Sequence, residues 1–399
     1  LTSGGRSSIR RGTNLPRVGD FNESVVLDAI RRVPDGLSRV ELVTATGLSA
    51  QTISNICRRL LDQGVVHESG KTRSGSGKPR TLLRLSPGAR YAVGVHLDPA
   101  VITYVLLDLL GTVVAHRQEP TAGSGEPERT TQDISASING LIAGSGADRD
   151  RILGLGVAVP GPIDAAAGLV VDPPQLAGWS SVPLRDRLSA ATGLPALIDK
   201  DVIAAAVAER WAGAATETGN FLFFYLGTGS GMGLVVDDAV LRGVSGNVGE
   251  VGGLGAACTT RALVDEGIQL GVLGPEFAPT GPHDAQRGLT CLAELAAGAD
   301  PTAAGIIDRW AVRVGRGVCA AATLVDSDLI VFGGPAWPLL SGRFLPVIEP
   351  MVAASPFVKR IHPTTVTTTH IGTDVAAIGA ACLVLDQSLS AQPRSLLLA

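Results

Sequence analysis

Apolar residues recur with two different periods along this 399-residue chain, and the change of period divides it. Val25, Val26, Ala29 and Ile30 form a helical stripe over Asn22–Val33, with Asn22 as its N-cap and Pro34-Asp35-Gly36 as its break. Ser38 caps a second helix, Arg39–Thr46. Gly47 supplies the turn, and Ser49 caps a third helix from Ala50 to about Gln63 that buries Ile53, Ile56 and Leu60. Two short helices joined by a glycine-containing turn read as a helix-turn-helix. A strand beginning at Val65-Val66 and another at Thr81–Leu85 flank a glycine-rich basic loop, which reads as a wing.

Beyond Pro87-Gly88 the pattern becomes strands alternating with helices. Strands are predicted at Tyr91–Leu97, Val101–Leu109, Val113–Arg117, Ile152–Val159 and Pro195–Asp199. Helices are predicted at Thr131–Gly144, Leu184–Thr192 and, rich in alanine, Val202–Trp211. The alternation restarts after residue 220. Phe221–Leu226 feeds a glycine-dense turn, Gly227–Gly233, followed by short apolar runs at Leu234–Val236 and Ala239–Leu241. Then come a helix at Ile306–Thr323, a strand at Leu329–Phe332, a helix at Leu339–Val352, a strand at Thr364–His370 and a closing helix at Val375–Leu385. The repeat predicts two α/β lobes with a cleft between them. A glycine-rich turn lets backbone N–H groups approach an anion, although a plain tight hairpin uses the same residues.

Charge sharpens the division. The net −4 of the whole chain splits into about +8 over residues 1–90 and about −12 over the remainder, so only the first part is suited to a polyanion. On the third helix Gln51, Thr52, Ser54, Asn55, Arg58 and Arg59, with Ser49 at its start, make a small, polar and basic face free of acids until Asp62. Such a face suits base edges near the helix start and phosphates further on. Lys71, Arg73, Lys78 and Arg80 of the wing can follow the phosphate backbone of double-stranded DNA or enter a minor groove. Five scattered cysteines without CxxC spacing point to a reducing, cytoplasmic setting and away from a disulfide framework. No apolar run has the length of a membrane span.

The winged helix, GLGVAVPGPID at Gly154–Asp164 and PALIDKDVIAAAVAE at Pro195–Glu209 occur in one order with three further stretches. These are LGTGSGMGLVVDDAVLRGVSGNVGEVGG at Leu226–Gly253, VFGGP at Val331–Pro335 and IGTDVAAIGAA at Ile371–Ala381. In this the chain resembles the ROK family, which groups sugar-responsive repressors with sugar kinases, from about Asn22 to Gln387. The resemblance implies an α/β fold class: an N-terminal winged helix-turn-helix followed by a duplicated actin-like, hexokinase-like two-lobed domain. The expected organisation is a loose basic tail over 1–20, a DNA-binding domain over 21–88, and an effector and oligomerisation domain over 89–399.

Departures from the family pattern carry as much information. Where its kinases hold Mg-ATP phosphates with an aspartate and a glycine-threonine pair, this chain has Gly94-Val95-His96-Leu97-Asp98-Pro99-Ala100. Asp98 would repel phosphates there. His96 reads as a strand residue satisfied locally, with a catalytic role as the alternative. Asp201 matches the family's catalytic base and Glu250 its sugar-binding glutamate; Asp201 can hydrogen-bond a sugar hydroxyl or serve as a helix N-cap. Lys200 replaces an asparagine, and Asp199, Asp201 or an acidic ligand are its candidate partners. Asp265 stands near another sugar-contacting glutamate. Gly253 replaces a zinc-binding histidine, and the lone Cys258 leaves too few ligands for a structural zinc. The resemblance therefore implies a DNA-binding regulator, a repressor of carbohydrate-related genes, without catalytic residues, metal or cofactor. Its effector site comprises Lys200, Asp201, Glu250 and Asp265, and it binds an inverted-repeat operator as a homodimer or homotetramer. A sugar kinase that keeps a DNA-binding module, and a regulator whose body binds a protein or a non-sugar metabolite, are the alternatives.

Overall fold

The computed structural model describes residues 15–72, 79–121, 126–174, 176, 178–355 and 362–389, with backbone alone at 15–19, 71 and 72. Contacts divide the chain into two units. One holds the described residues up to Tyr91 with Asp108–Thr112 and those from Leu385 on; the other holds Ala92–Leu107 and Val113–Val384.

In the first unit α1 (Leu15–Arg31), β1 (Leu37–Ser38), α2 (Arg39–Thr46), α3 (Ala50–Asp62), β2 (Val66–Thr72) and β3 (Arg80–Leu85) make a winged helix with strand order β1-β3-β2. Val26, Leu27, Ile30, Leu42, Ile53, Ile56, Cys57 and Leu60 bury together as its core. Helix α1 begins at Leu15, so Asn22 lies inside it rather than capping it, and the stretch expected to be a loose tail is partly helical. Pro16 at the second position suits such a start, because a helix leaves its first N–H groups unpaired anyway. The caps of α2 fall where the sequence put them. Ser38 and Glu41 form a reciprocal capping box, and Gly47 closes the helix at φ 71°, a conformation that favours glycine. Strand β1 is too short to show as a period; pairing of Leu37 with Leu83 and of Ser38 with Leu82 creates it.

The second unit is built twice over. Its first half contains β4 (Tyr91–Leu97), β5 (Val101–Asp108), β6 (Val113–Pro120), α4 (Pro127–Ser145), β7 (Ile152–Val159), a small pair β8 (Ile163–Asp164) and β9 (Leu169–Val170), α5 (Leu184–Thr192), β10 (Ala196–Lys200) and α6 (Asp201–Ala212). Its second half contains β11 (Phe221–Leu226), β12 (Ser230–Val236), β13 (Ala239–Val240), α7 (Thr260–Gln269), α8 (Pro282–Ala297), α9 (Pro301–Val325), β14 (Leu329–Gly333), α10 (Trp337–Ala354), β15 (Thr365–Thr368) and α11 (Val375–Leu389). The sheets run β10-β7-β4-β5-β6 and β15-β14-β11-β12-β13, the same order strand for strand. In each, three strands form an antiparallel meander and two later strands add at its edge; β10 joins β7, and β14 joins β11, in parallel. Strand β11 is buried along its whole length, as expected of a strand covered on both faces.

Helices α6 and α11 bring the halves together. Each is lined with alanine, and each packs closely: a Cβ added at Gly379 of α11 would lie 1.8 Å from the Ala204 carbonyl of α6. One added at Gly156 of β7 would lie 1.8 Å from the Ala380 carbonyl of α11. The glycine-dense turn is shorter than its sequence suggests, because β12 already starts at Ser230. Helices α7 and α8 were not expected; their buried residues Leu263, Val264, Leu289 and Leu292 join the second half's core around Trp310 and Phe332. Among the described residues no helix is long and apolar enough to cross a membrane.

Candidate functional site

The polar face of α3 survives folding in part. Gln51, Asn55 and Arg58 are exposed, and Thr52 and Ser54 are half-buried. Gln51 Nε2 donates to Asn55 Oδ1 at 3.2 Å, which pre-orders two amides at the helix start. Ser49 accepts the Thr52 N–H at 3.1 Å and meets its hydroxyl at 2.9 Å. Both residues therefore carry the helix cap, and their placement as base-reading groups is secondary to that task. Arg59 differs more from its expectation: its guanidinium turns back onto Glu23 of α1. An arginine with a carboxylate in its fork is a structural strut, so Arg58 is the better placed cation of the pair. In the wing Arg80 is half-buried and faces Thr72 across the ladder. Arg73 and Lys78 lie outside the described residues, as does the side chain of Lys71.

The cleft lies in the second unit, where the carboxyl ends of β4, β7, β10 and β11 converge, the usual position for a ligand on such sheets. Asp98, Gly161, Lys200, Asp201, Thr228 and Glu250 line a cavity of about 140 Å³. Lys200 is the last residue of β10 and is only 3% exposed. Its ammonium sits 2.5 Å from Glu250 Oε1 and 3.5 Å from the Val248 carbonyl. Of the partners proposed for Lys200, then, neither Asp199 nor Asp201 takes its ammonium. Asp199 is engaged by Arg242, 2.8 Å away, and accepts the Lys200 backbone N–H.

Asp201 opens α6 as its first helical residue, while Lys200 holds the N-cap position without a side-chain cap bond. Asp201 Oδ1 accepts the Val202 N–H at 2.7 Å, so this carboxylate is not an N-cap. Burial pushes its carboxyl up to about 7; the Val202 N–H and the Lys200 ammonium pull it down, and Asp98 and Glu250 push it further up.

Asp98 ends β4. Its Oδ1 accepts the Ala100 N–H at 2.8 Å, and both its oxygens lie 3.1 Å from the Thr228 hydroxyl in the turn between β11 and β12. The first half's hairpin turn is thereby tied to the second half's. His96 is 3% exposed, with Nε2 3.5 Å from the Tyr225 hydroxyl and its ring edge-on to Tyr225. Burial lowers its affinity for a proton against the pull of Asp98 and Asp374, and its hydrogen-bond partner Tyr225 comes from β11 rather than from the neighbouring stretch of chain that the sequence reading expected. Tyr225, Thr228, Ser230 and Pro174 are among the cleft residues that sequence reasoning did not single out. Thr228 stood in the glycine-rich turn, which was its only signal.

Asp265 does not belong to this cleft. With Leu263 and Val264 turned into the core, α7 presents Asp265 on its outer side, 3.6 Å from Arg261 and beside a separate shallow cavity shared with Glu266 and Arg309. Cys258 is buried in the apolar core of the second half, and burial pushes its thiol up to about 12. A structural zinc needs deprotonated thiolates, which this surrounding opposes. Among the described residues no group of three His, Cys, Asp or Glu side chains could hold a metal ion.

Residues 92–269 match the model of the ROK family, and residues 19–73 match that of the MarR family. A relative in Caldicellulosiruptor sp. is 24% identical over 373 residues, which covers 89% of this chain and 93% of that one. The xylose repressor of Bacillus subtilis is 30% identical over 59% of this chain, and the match spans 60% of that repressor's length. A glucokinase of Halalkalibacterium halodurans is 27% identical over 61% of this chain and 80% of its own. Among solved structures, a ROK family transcriptional regulator, a homolog of the E. coli MLC protein, superposes with a TM-score of 0.74 at 21% identity. It covers 94% of this chain and 98% of that one. A ROK family glucokinase from Streptomyces griseus, solved with glucose and AMPPNP, reaches 0.62 at 24% identity over 73% of this chain and 98% of its own. At these identities the superpositions establish the fold.

Proposed function

We propose that this chain, which carries a MarR-type winged helix ahead of a ROK domain, is a sequence-specific DNA-binding transcriptional repressor of carbohydrate-related genes. The observation that carries the reading is the winged helix itself, with the exposed, acid-free face of Gln51, Asn55 and Arg58 on α3, in one chain with a two-lobed ligand domain. The xylose repressor of Bacillus subtilis and the E. coli dual regulator NagC, 25% identical over 63% of this chain, support it. A small molecule entering the cleft at Lys200, Asp201 and Glu250 is the controlling effector. The backbones of α6 and α11 approach so closely at Gly379 that no methyl group fits between them, which couples the two helices in any change of lobe angle.

Phosphoryl transfer is not part of this function. The Asp98 carboxylate occupies the hairpin turn where the family's kinases seat ATP phosphates, and it already holds the Thr228 hydroxyl of the opposite turn. A carboxylate there repels phosphate and takes a donor that phosphate would need. Binding as a symmetric dimer to an inverted repeat is the arrangement that a single recognition helix per chain calls for.

The test is recovery and sequencing of genomic DNA fragments by the purified full-length protein, with and without candidate effectors. One recurrent inverted-repeat motif, lost on deleting residues 1–86, is the expected result. Fragments without a shared motif would refute sequence-specific regulation.

A further inference from the structure

We propose that the cleft is built for a polyhydroxy carboxylate, a sugar acid of the aldonic or uronic class, whose carboxylate takes the place of Glu250 on Lys200. The inference rests on the effector reading of the cleft and adds the ligand's chemical class.

The ion pair at the cleft is lopsided. The Lys200 side chain is 4% exposed and that of Glu250 is 74% exposed. A buried ammonium needs an anion at all times, since leaving it alone in a dry site costs several kcal/mol. An exposed carboxylate is already largely hydrated and loses little on returning to water. The cation is thus fixed and its counter-ion replaceable. The fold also holds the cation in place: the Lys200 stem runs over Gly161, where an added Cβ would lie 2.9 Å from Cε. Release of Glu250 needs only its exposed side chain to turn toward water, because Val251 beside it is 2% exposed and anchors the backbone in the core.

A ligand carboxylate at Lys200 keeps the local charge count unchanged and frees Glu250. A neutral hydroxyl cannot make that exchange, because it brings no charge to replace the one it displaces. Arg242 already engages Asp199, so that acid does not compete for the site. Of the other polar walls, Asp98 and Asp201 are carboxyl groups that accept hydrogen bonds from hydroxyls, while the hydroxyls of Thr228, Ser230 and Tyr225 are already engaged, with Asp98, the Cys258 N–H and His96. One cation and two acceptors thus match a molecule with one carboxylate and several hydroxyls. A phosphate ester fits less well: its second negative charge would face one ammonium and two carboxyl groups.

Calorimetric titration of the full chain with D-gluconate, D-xylonate and D-glucuronate, against D-glucose, D-xylose and glucose 6-phosphate, tests this. The acids are expected to bind about tenfold tighter than their neutral counterparts, the worth of one charge-assisted hydrogen bond. Lys200→Met should bring the acids down to the level of the neutral sugars, Lys200→Arg should keep the preference, and Glu250→Gln should tighten the acids several-fold by weakening the competitor. Neutral sugars binding as tightly as the acids, glucose 6-phosphate binding tighter than either, or a Lys200→Met variant that keeps the preference would each overturn the proposal. If neutral sugars bind and acids do not, the effector reading stands and this inference falls. If no polyol binds while operator DNA still does, both fall.

Discussion

Asp201→Asn is expected to stabilise the protein at alkaline pH and to change little at acid pH. The Asp201 carboxyl goes from 3.8 in the unfolded chain to about 7 in the fold, with burial the largest cause. Between those values the native state holds a proton that the unfolded chain has released, so stability falls as pH rises through the window and the loss is complete above about 8. At roughly 1.36 kcal/mol per unit the shift sets a ceiling near 4 kcal/mol. Because Asp201 lines a cleft that water reaches, screening brings the expectation down to about 2 kcal/mol. Asparagine keeps the acceptor for the Val202 N–H, 2.7 Å away, and removes the charge. Glu209, another buried carboxyl raised by burial, is present in both proteins and drops out of the difference. Urea unfolding of parent and variant at pH 5 and pH 8.5, followed by tryptophan fluorescence, reads the part of the window between 5 and 7, roughly two-thirds of the whole. Equal differences at the two pH values, or a variant less stable at pH 8.5, would refute the account of Asp201.

Asn55→Ala should cost about 1–3 kcal/mol of discrimination at one base pair, read as a relaxed preference in a binding-site selection. Arg58→Ala should weaken binding to all sequences alike and lower the slope of log affinity against log salt by about 1, whereas Arg59→Ala, whose guanidinium braces Glu23, should act on the stability of the winged helix before it acts on the salt slope. No sugar in a panel of hexoses and pentoses should drive ATP consumption; turnover that vanishes in Asp201→Asn would contradict the place given to Asp98. Gly379→Val should abolish soluble expression or cooperative melting, because its Cβ would sit 1.8 Å from the Ala204 carbonyl of a packed helix.

What could be read from the sequence was local. Ser38, Gly47 and Ser49 mark helix ends by chemistry that acts within three or four residues, and all three fall where the pattern placed them. The unread parts depend on partners far away in the chain. Arg59 looked like a DNA contact because Glu23 is 36 residues off, and Lys200 had three candidate partners, none of which was Glu250, 50 residues on. Asp265 was assigned to the cleft by its match to a sugar-contacting glutamate of the family; once α7 exists, its buried face decides where the acid points.

The duplication explains why the cleft in particular was half legible. Aligned strand for strand, β4 answers to β11 and β5 to β12, so the turn Asp98–Ala100 is the counterpart of the turn Gly227–Gly229. Two equivalent glycine-rich turns facing one another would clamp an anion between them. Here one turn keeps its glycines and the other carries Asp98-Pro99, and the two meet directly through the Thr228 hydroxyl and both Asp98 oxygens. The glycine signal was thus visible at one turn only, and reading it in isolation suggested a phosphate cradle. Its partner turn meets it with a side-chain carboxylate. The cavity bordered by Asp98 and Thr228 is also lined by Lys200, Asp201 and Glu250, so the contact between the two turns is part of the same cleft.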